Sequence, residues 1–314
     1  MSFSSEVKEE LAKRTGSSRH CQLAELAAIM TYIGAVDTDR DGNLILYLQS
    51  DNTLVCRKFF TLYKKAFNIV TSILEEEPDF RKGGRIYRPV ITDRDQVEAL
   101  LQATKFMGAD GSIRSFDDGA SPIVTKNSCC KRAFLRDAFL CIGSISDPNK
   151  GYHLEFVCTT EGQANQLKDL IESFDIEARI VLRKKYHVLY IKEGAGIVDL
   201  LNIMEAPVSL MNLENLRILK EMRNSINRRV NCEVANITKT VNAATKQIED
   251  ITYIRDNYGF RKLPDSLREM AEVRLEHPDS TLSELREFMD PPVGKSGINH
   301  RLRKLSELAD RIRG

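Results

Sequence analysis

Net charge is almost absent from this chain: 46 Lys and Arg face 45 Asp and Glu, leaving +1. A protein that grips nucleic acid along its surface carries a basic excess, so any such grip has to come from a short local segment. Long apolar runs are missing too. No stretch approaches the ~20 residues of a membrane span, and the opening MSFSSEVKEELAKR lacks the apolar centre of a signal peptide. A soluble, cytoplasmic protein with no membrane partner is the expectation. The seven cysteines, Cys21, Cys56, Cys129, Cys130, Cys141, Cys158 and Cys232, form an odd set without a C-x-x-C spacing. That argues against a disulfide framework and against a zinc site. Most of them read as small buried apolar groups in a reducing cytosol, and the sequence asks for no metal and no cofactor.

What the chain does have is an internal repeat. Sliding the sequence by 109 places Cys21 on Cys130, Leu26 on Leu135, Ile33 on Ile142, Gly34 on Gly143 and Val36 on Ile145. In each copy a helical apolar pattern ends at Ile-Gly and a strand-like segment follows, NLILYLQS in the first and YHLEFVCT in the second. The next stretches, FFTLYKKAFNIV and QANQLKDLIESFDI, repeat their apolar residues at helical spacing. Alternating, β-branched segments then predict further strands at GRIYRPVIT and ARIVLRKKYHVLYIKE, and each copy closes with a short helix, VEALLQATKFMG or IVDLLNIMEA. The fold class is therefore α+β for two halves, residues 1–115 and 116–208, joined near the turn-rich SFDDGASP.

Strand signals stop after Pro207. A linker helix over 209–233 and an all-α domain over 234–314 are expected. The linker segment NRRVNCEVANITKTVNAA, rich in Asn, reads as a hinge or interdomain contact. Towards the end, STLSELREFM and KSGINHRLRKLSELADRIR predict two helices with single apolar stripes: Leu282, Leu285, Phe288 and Met289, then Ile298, Leu302, Leu305, Leu308 and Ile312. Ser280 or Thr281 can cap the first, and Pro291 with Pro292 stops it. Two helices across a short turn are helix-turn-helix geometry, with the second lying in the major groove of DNA.

Turning Ile298, Leu302 and Leu305 inward turns Ser296, Asn299, His300 and Arg303 outward, flanked by Lys295, Arg301 and Lys304. Arg pairs with guanine and Asn with adenine, and cationic side chains with a helix start hold phosphates. From Val293 to Lys304 there are four Lys or Arg and no acid, which is the local charge the whole chain lacks. A solvated basic face is the competing reading. The Pro-Pro break, the acid-free start and the base-reading residue types weigh against it.

Two helices ending in Ile-Gly and followed by strands resemble the LAGLIDADG homing endonucleases. In that family each motif helix ends in an acid that holds a divalent metal. The resemblance places LAAIMTYIG and LRDAFLCIG on the motif, so Ile33 and Ile142 stand where the acids would be. Isoleucine offers no oxygen to a hard cation, and the expectation is a scaffold without its nuclease activity. Asp37, Asp137 and Asp147 lie nearby, off the acid position. Ala28, Gly34, Ala138 and Gly143 would let the two helices approach closely. Strand residues Arg85, Tyr87, Arg88, Arg183, Lys184, Lys185 and Tyr186 read first as a solvated face, with DNA contact the alternative.

The combination of a degenerate LAGLIDADG pair with a terminal helix-turn-helix resembles the WhiA family of bacterial regulators. RDAFLCIGSISDPNKGYHLEF, NRRVNCEVANITKTVNAA and PPVGKSGINHRLRKLSELA carry that likeness. It implies a transcription regulator of sporulation, cell division and chromosome segregation in Gram-positive bacteria. Double-stranded DNA would be its partner, at the nucleoid, with another regulator protein (WhiB-like in actinobacteria) as a further one. A metal-dependent DNA endonuclease and a protein-interaction module with incidental DNA binding are the alternatives.

Overall fold

The structure, a computed structural model, describes residues 2–39, 42–68, 74–75 and 87–314. Residues 1–219 and 220–314 form two compact units. The first opens with helix α1 (Phe3–Ala12), which the sequence reading did not anticipate and which buries Val7 and Leu11. Two repeats of one element order follow. The first runs α2 (Arg19–Ile33), β1 (Gly34–Thr38), β2 (Leu44–Leu48), α3 (Thr53–Phe67), β3 (Leu74–Glu75), β4 (Pro89–Ile91) and α4 (Arg94–Ala103). The second runs α5 (Ser128–Ile142), β5 (Gly143–Ile145), β6 (Leu154–Cys158), α6 (Glu161–Glu172), β7 (Arg179–Arg183), β8 (Tyr186–Ile191) and α7 (Gly194–Ile203). The sheets have the orders β1-β2-β4-β3 and β5-β6-β8-β7, antiparallel throughout. A shared topology is what a duplicated ancestor leaves behind.

The strands follow their alternation. In β6, Leu154, Phe156 and Cys158 are buried while Glu155 and Val157 sit on the opposite, half-open face. The segment ARIVLRKKYHVLYIKE folds as a two-stranded hairpin, pairing Arg183 with Tyr186 across a turn in which Lys184 takes φ 55. Of GRIYRPVIT, residues 84–86 lie outside the described residues; Pro89–Ile91 is strand and Tyr87 bridges Ser50.

Helices α2 and α5 pack on each other at the centre of the unit. Both are buried on nearly every side, and Ala24, Leu26, Ala27, Ala28, Ile29 and Met30 share a common core with Ala133, Phe134, Leu135, Ala138, Phe139 and Leu140. Each passes directly into a strand at Gly34 or Gly143. A Cβ there would come 2.6 Å from the Met30 carbonyl oxygen or 2.7 Å from that of Phe139, so glycine permits the abrupt change of direction. Polar groups run through this apolar contact. Arg136 of α5 bonds Glu25 of α2 through Nη2 at 2.6 Å, and Lys58 of α3 bonds Asp137 of α5 at 2.9 Å. All four side chains are buried.

The second unit consists of the last part of α8 (Pro207–Asn257), α9 (Asp265–Glu276) and α10 (Lys295–Arg313). A linker helix ending at 233 was expected, whereas α8 runs on as one helix to Asn257. No Gly or Pro interrupts residues 208–258, and the asparagines of NRRVNCEVANITKTVNAA are weak helix formers but not breakers. A second difference lies in STLSELREFM. Instead of an α-helix, it forms turns and a 3-10 segment at Leu285–Phe288. Thr281 and Glu284 close on each other in a capping box, the Thr281 amide donating to Glu284 Oε2 at 2.7 Å. With Pro291 and Pro292 just beyond, too little chain remains for regular turns. Leu285 and Met289 still reach the core; Phe288 does not, and its ring stacks on His277 with centroids 3.7 Å apart.

Candidate nucleic-acid interface

Helix α10 is anchored by Ile298, Leu302, Leu305 and Ala309, each at most 1% exposed. They share a core with Ile251 and Ile254 of α8 and Met270 and Ala271 of α9, with Leu308 and Ile312 packed at its edge. Val293, just before the helix, packs against the same cluster, in the manner of a hydrophobic staple that sets the entry angle of the chain. The N-cap is Gly294, which has no side chain to spend on the first turn. The amides of Lys295, Ser296 and Gly297 are therefore left for an outside acceptor.

Fixing that side fixes the other. Ser296, Asn299, His300 and Arg303 recur at helical spacing on one face and all are exposed, as are Lys295 and Lys304 on its flanks. Arg303 Nε lies 3.2 Å from Glu307 Oε1 one turn on, in a pair open to solvent; such a pair holds its arginine weakly and yields to a better anion. Glu307 also ends this cationic surface, so the basic face occupies the first three turns only. Arg301 is placed differently from the other six. It is half-buried, its Nη1 3.5 Å from Glu269 Oε2 of α9.

Glu269 is a residue that sequence reasoning missed. Its other oxygen accepts from the Asp290 amide at 3.1 Å, so one carboxylate braces both the turn and α10. Arg274, buried further along α9, donates to the Ser280 carbonyl at the start of the segment that leads to Asp290. Glu269 lies among other acids, Asp265, Glu272 and Glu276, and nothing in its spacing told which backbone it would hold.

In the first unit, Ile33 and Ile142 end their helices half-buried against the common core, without an oxygen to offer. The neighbouring acids are engaged elsewhere. Asp37 Oδ1 accepts from the Thr38 amide at 2.8 Å, Asp147 Oδ1 from the Asn149 amide at 2.9 Å, and Asp137 is held by Lys58. Arg183, Lys184, Lys185 and Tyr186 form an exposed hairpin tip, with Arg183 Nη1 3.3 Å from Glu155. Tyr87 is half-buried, Arg88 lies over the Tyr47 ring at 5.3 Å, and Arg85 falls outside the described residues. At the opposite ends of the same central helices, His20, Cys21, Cys129 and Cys130 come together, where the spacing of the cysteines predicted no such meeting.

Two LAGLIDADG-like repeats of one topology, followed by a helical unit of helix-turn-helix type, define the class: a homing-endonuclease-like scaffold joined to a DNA-binding type of domain. The family models divide the chain in the same way. The WhiA N-terminal LAGLIDADG-like domain matches residues 19–107, the WhiA LAGLIDADG-like domain 131–223 and the WhiA C-terminal HTH domain 226–309. A relative in Lachnoclostridium phytofermentans, named probable cell division protein WhiA, is 53% identical over 314 residues and 100% of both chains. A relative of the same name in Clostridium beijerinckii is 45% identical over 313 residues, 100% of this chain and 99% of its own. The crystal structure of full-length DUF199/WhiA from Thermatoga maritima aligns over 99% of each chain at 25% identity with a TM-score of 0.59. The chain belongs to the WhiA family. No helix among the described residues is long and apolar enough to cross a membrane.

Proposed function

We propose that this chain is a sequence-specific DNA-binding regulator of transcription, acting at the nucleoid in cell division, sporulation and chromosome segregation. Helix α10 enters the major groove. Ser296, Asn299, His300 and Arg303 face base edges, while Lys295, Lys304 and the free amides of the first turn hold phosphates. Arg301 contributes by fixing α10 to α9 and adds charge near the phosphates. The observation that carries the reading is the division of α10 into a fully buried apolar side and an exposed polar, cationic one. The names of the relatives support the link to cell division. The repeat unit serves as a scaffold without nuclease chemistry, because its motif positions carry isoleucine.

A second reading, a module that binds a protein partner such as another regulator, is favoured by the exposed apolar stripe Met222, Ile226, Val230, Val234, Ile237 and Val241 on α8. A truncation ending at Arg261 separates the two. Genomic footprinting finds the target of the full chain, and gel shifts then compare the two proteins on it. Loss of sequence-specific binding in the truncated chain supports the reading by α10; retained specificity sinks it.

A further inference from the structure

The duplication has placed four metal-ligating side chains at equivalent positions of the two central helices. His20 and Cys21 are the second and third residues of α2, and Cys129 and Cys130 are the second and third of α5. Packing of the two helices brings the pairs together across the repeat. The His20 Nδ1 atom lies 3.1 Å from Cys130 Sγ, 3.3 Å from Cys21 Sγ and 4.0 Å from Cys129 Sγ. All four ligand atoms lie within 4.8 Å of one another.

We propose that His20, Cys21, Cys129 and Cys130 bind one zinc-class divalent ion that joins the starts of the two repeat helices. Tetrahedral zinc with sulfur at about 2.3 Å and nitrogen at about 2.0 Å holds its ligands roughly 3.5–3.8 Å apart. The four atoms already occupy a space of that size, so small side-chain rotations complete the tetrahedron. The span suits a single ion and leaves no room for the bridging sulfides of an iron-sulfur cluster. Three sulfurs and one imidazole select a soft or borderline metal over magnesium or calcium, which take oxygen.

The helix starts favour the charge such a site carries. Three thiolates and a neutral imidazole around a divalent ion leave one net negative charge. Neither Ser18 nor Asn127, the two N-caps, uses its side chain to cap its helix. Both helices thus begin at the cluster without a capping side chain, and the partial positive charge of a helix start suits the net negative charge of the loaded site. Access is open, because His20 and Cys129 are exposed while Cys21 and Cys130 form the buried floor. The adjacency of the ligands explains why a search for C-x-x-C fails. Each helix supplies two neighbouring residues, and the second pair arrives 109 positions later. Bound there, the ion ties the first repeat to the second at the end away from Gly34 and Gly143.

The test uses the full chain, purified under reducing conditions without chelator. Elemental analysis is expected to find one zinc per chain, and replacement with cobalt to give the intense visible bands and thiolate charge-transfer absorption of a tetrahedral sulfur-rich site. The double variant Cys21→Ser/Cys130→Ser is expected to lose the metal. His20→Cys should keep the stoichiometry while shifting the cobalt bands to longer wavelength, and Cys232→Ser on α8 should change nothing. The wild-type chain alone can overturn the proposal, with no need for a folded variant: reduced protein that takes up neither zinc nor cobalt in tetrahedral form ends it. So does metal retained by a folded Cys21→Ser/Cys130→Ser protein, or a disulfide among these cysteines that persists in the reduced, metal-loaded preparation.

Discussion

The Lys58 ammonium donates a 2.9 Å hydrogen bond to Asp137 Oδ2 with both side chains wholly out of solvent. The pair joins α3 of the first repeat to α5 of the second. It stands beside Glu25, whose Oε1 is 4.0 Å from the ammonium and accepts from Arg136. An apolar helix pair slides easily, whereas a buried ionic set has one register in which every charge is met; buried polar groups serve such a role in other helix pairs. Lys58→Met keeps the volume of the stem and removes the charge. At pH 8 the change is expected to destabilise the first unit by about 3–5 kcal/mol, because it leaves a carboxylate buried without its partner. The double variant Lys58→Met/Asp137→Leu should recover most of the loss. Urea unfolding of the three proteins measures this, and a double variant no better than the single one would show that the charges were not the cause.

The same carboxyl makes stability depend on pH. Burial pushes Asp137 up to about 7, outweighing the ammonium of Lys58, and its Oδ1 finds no hydrogen-bond partner among the described residues. An unfolded aspartate titrates near 4. Between about 4 and 7 the folded chain thus holds a proton that the unfolded chain has released. Stability from this group is complete below the unfolded value and is lost as pH rises through 7, with a slope of at most about 1.4 kcal/mol per pH unit. Asp137→Asn should abolish that slope. Unfolding free energies at pH 5, 6 and 7 check it; equal slopes in wild type and variant would reject the assignment to Asp137.

Much of this fold was legible because periodicity survives in it. The Ile-Gly ends of α2 and α5, the alternation of β6 and the apolar side of α10 all follow from residue spacing. What escaped depends on contacts between distant segments. Glu269 reaches both Asp290 and Arg301, and His20 meets Cys130 only after two helices have packed. STLSELREFM has helical spacing, yet the capping pair at one end and two prolines at the other leave room for a 3-10 segment alone. Phe288 was placed in the core by its spacing and stacks on His277 instead, because a tighter turn rotates it outward.

Within the reading face, Arg303 and Lys304 should behave differently. Arg303 leaves an exposed pair with Glu307 to reach a base, so Arg303→Ala is expected to weaken binding to the specific site by about 1–3 kcal/mol and relax selectivity there. Lys304 stands on the flank, where its partner is phosphate. Lys304→Ala should weaken specific and non-specific binding alike and lower the salt slope by about 1. Gel-shift titrations on specific and random duplexes at two salt concentrations distinguish these patterns. Unchanged affinity in both variants would reject this face of α10.

The nuclease prediction turns on ligand chemistry rather than on fold. A LAGLIDADG scaffold that cleaves needs carboxylates at the helix ends, where magnesium or manganese polarises the phosphate and prepares water for attack. Ile33 and Ile142 occupy those ends. The acids within reach are committed: Asp37 to the Thr38 amide, Asp147 to the Asn149 amide, and Asp137 to Lys58 at the buried contact of the two repeats. Freeing Asp137 would leave Lys58 without its closest anion, so its transfer to a metal costs more than a surface carboxylate would pay. Supercoiled plasmid incubated with the pure chain and either cation should therefore stay uncut, at protein concentrations that saturate DNA in gel shifts. Nicking that persists through repurification and disappears in Asp37→Asn would reveal a displaced catalytic site and overturn the scaffold reading.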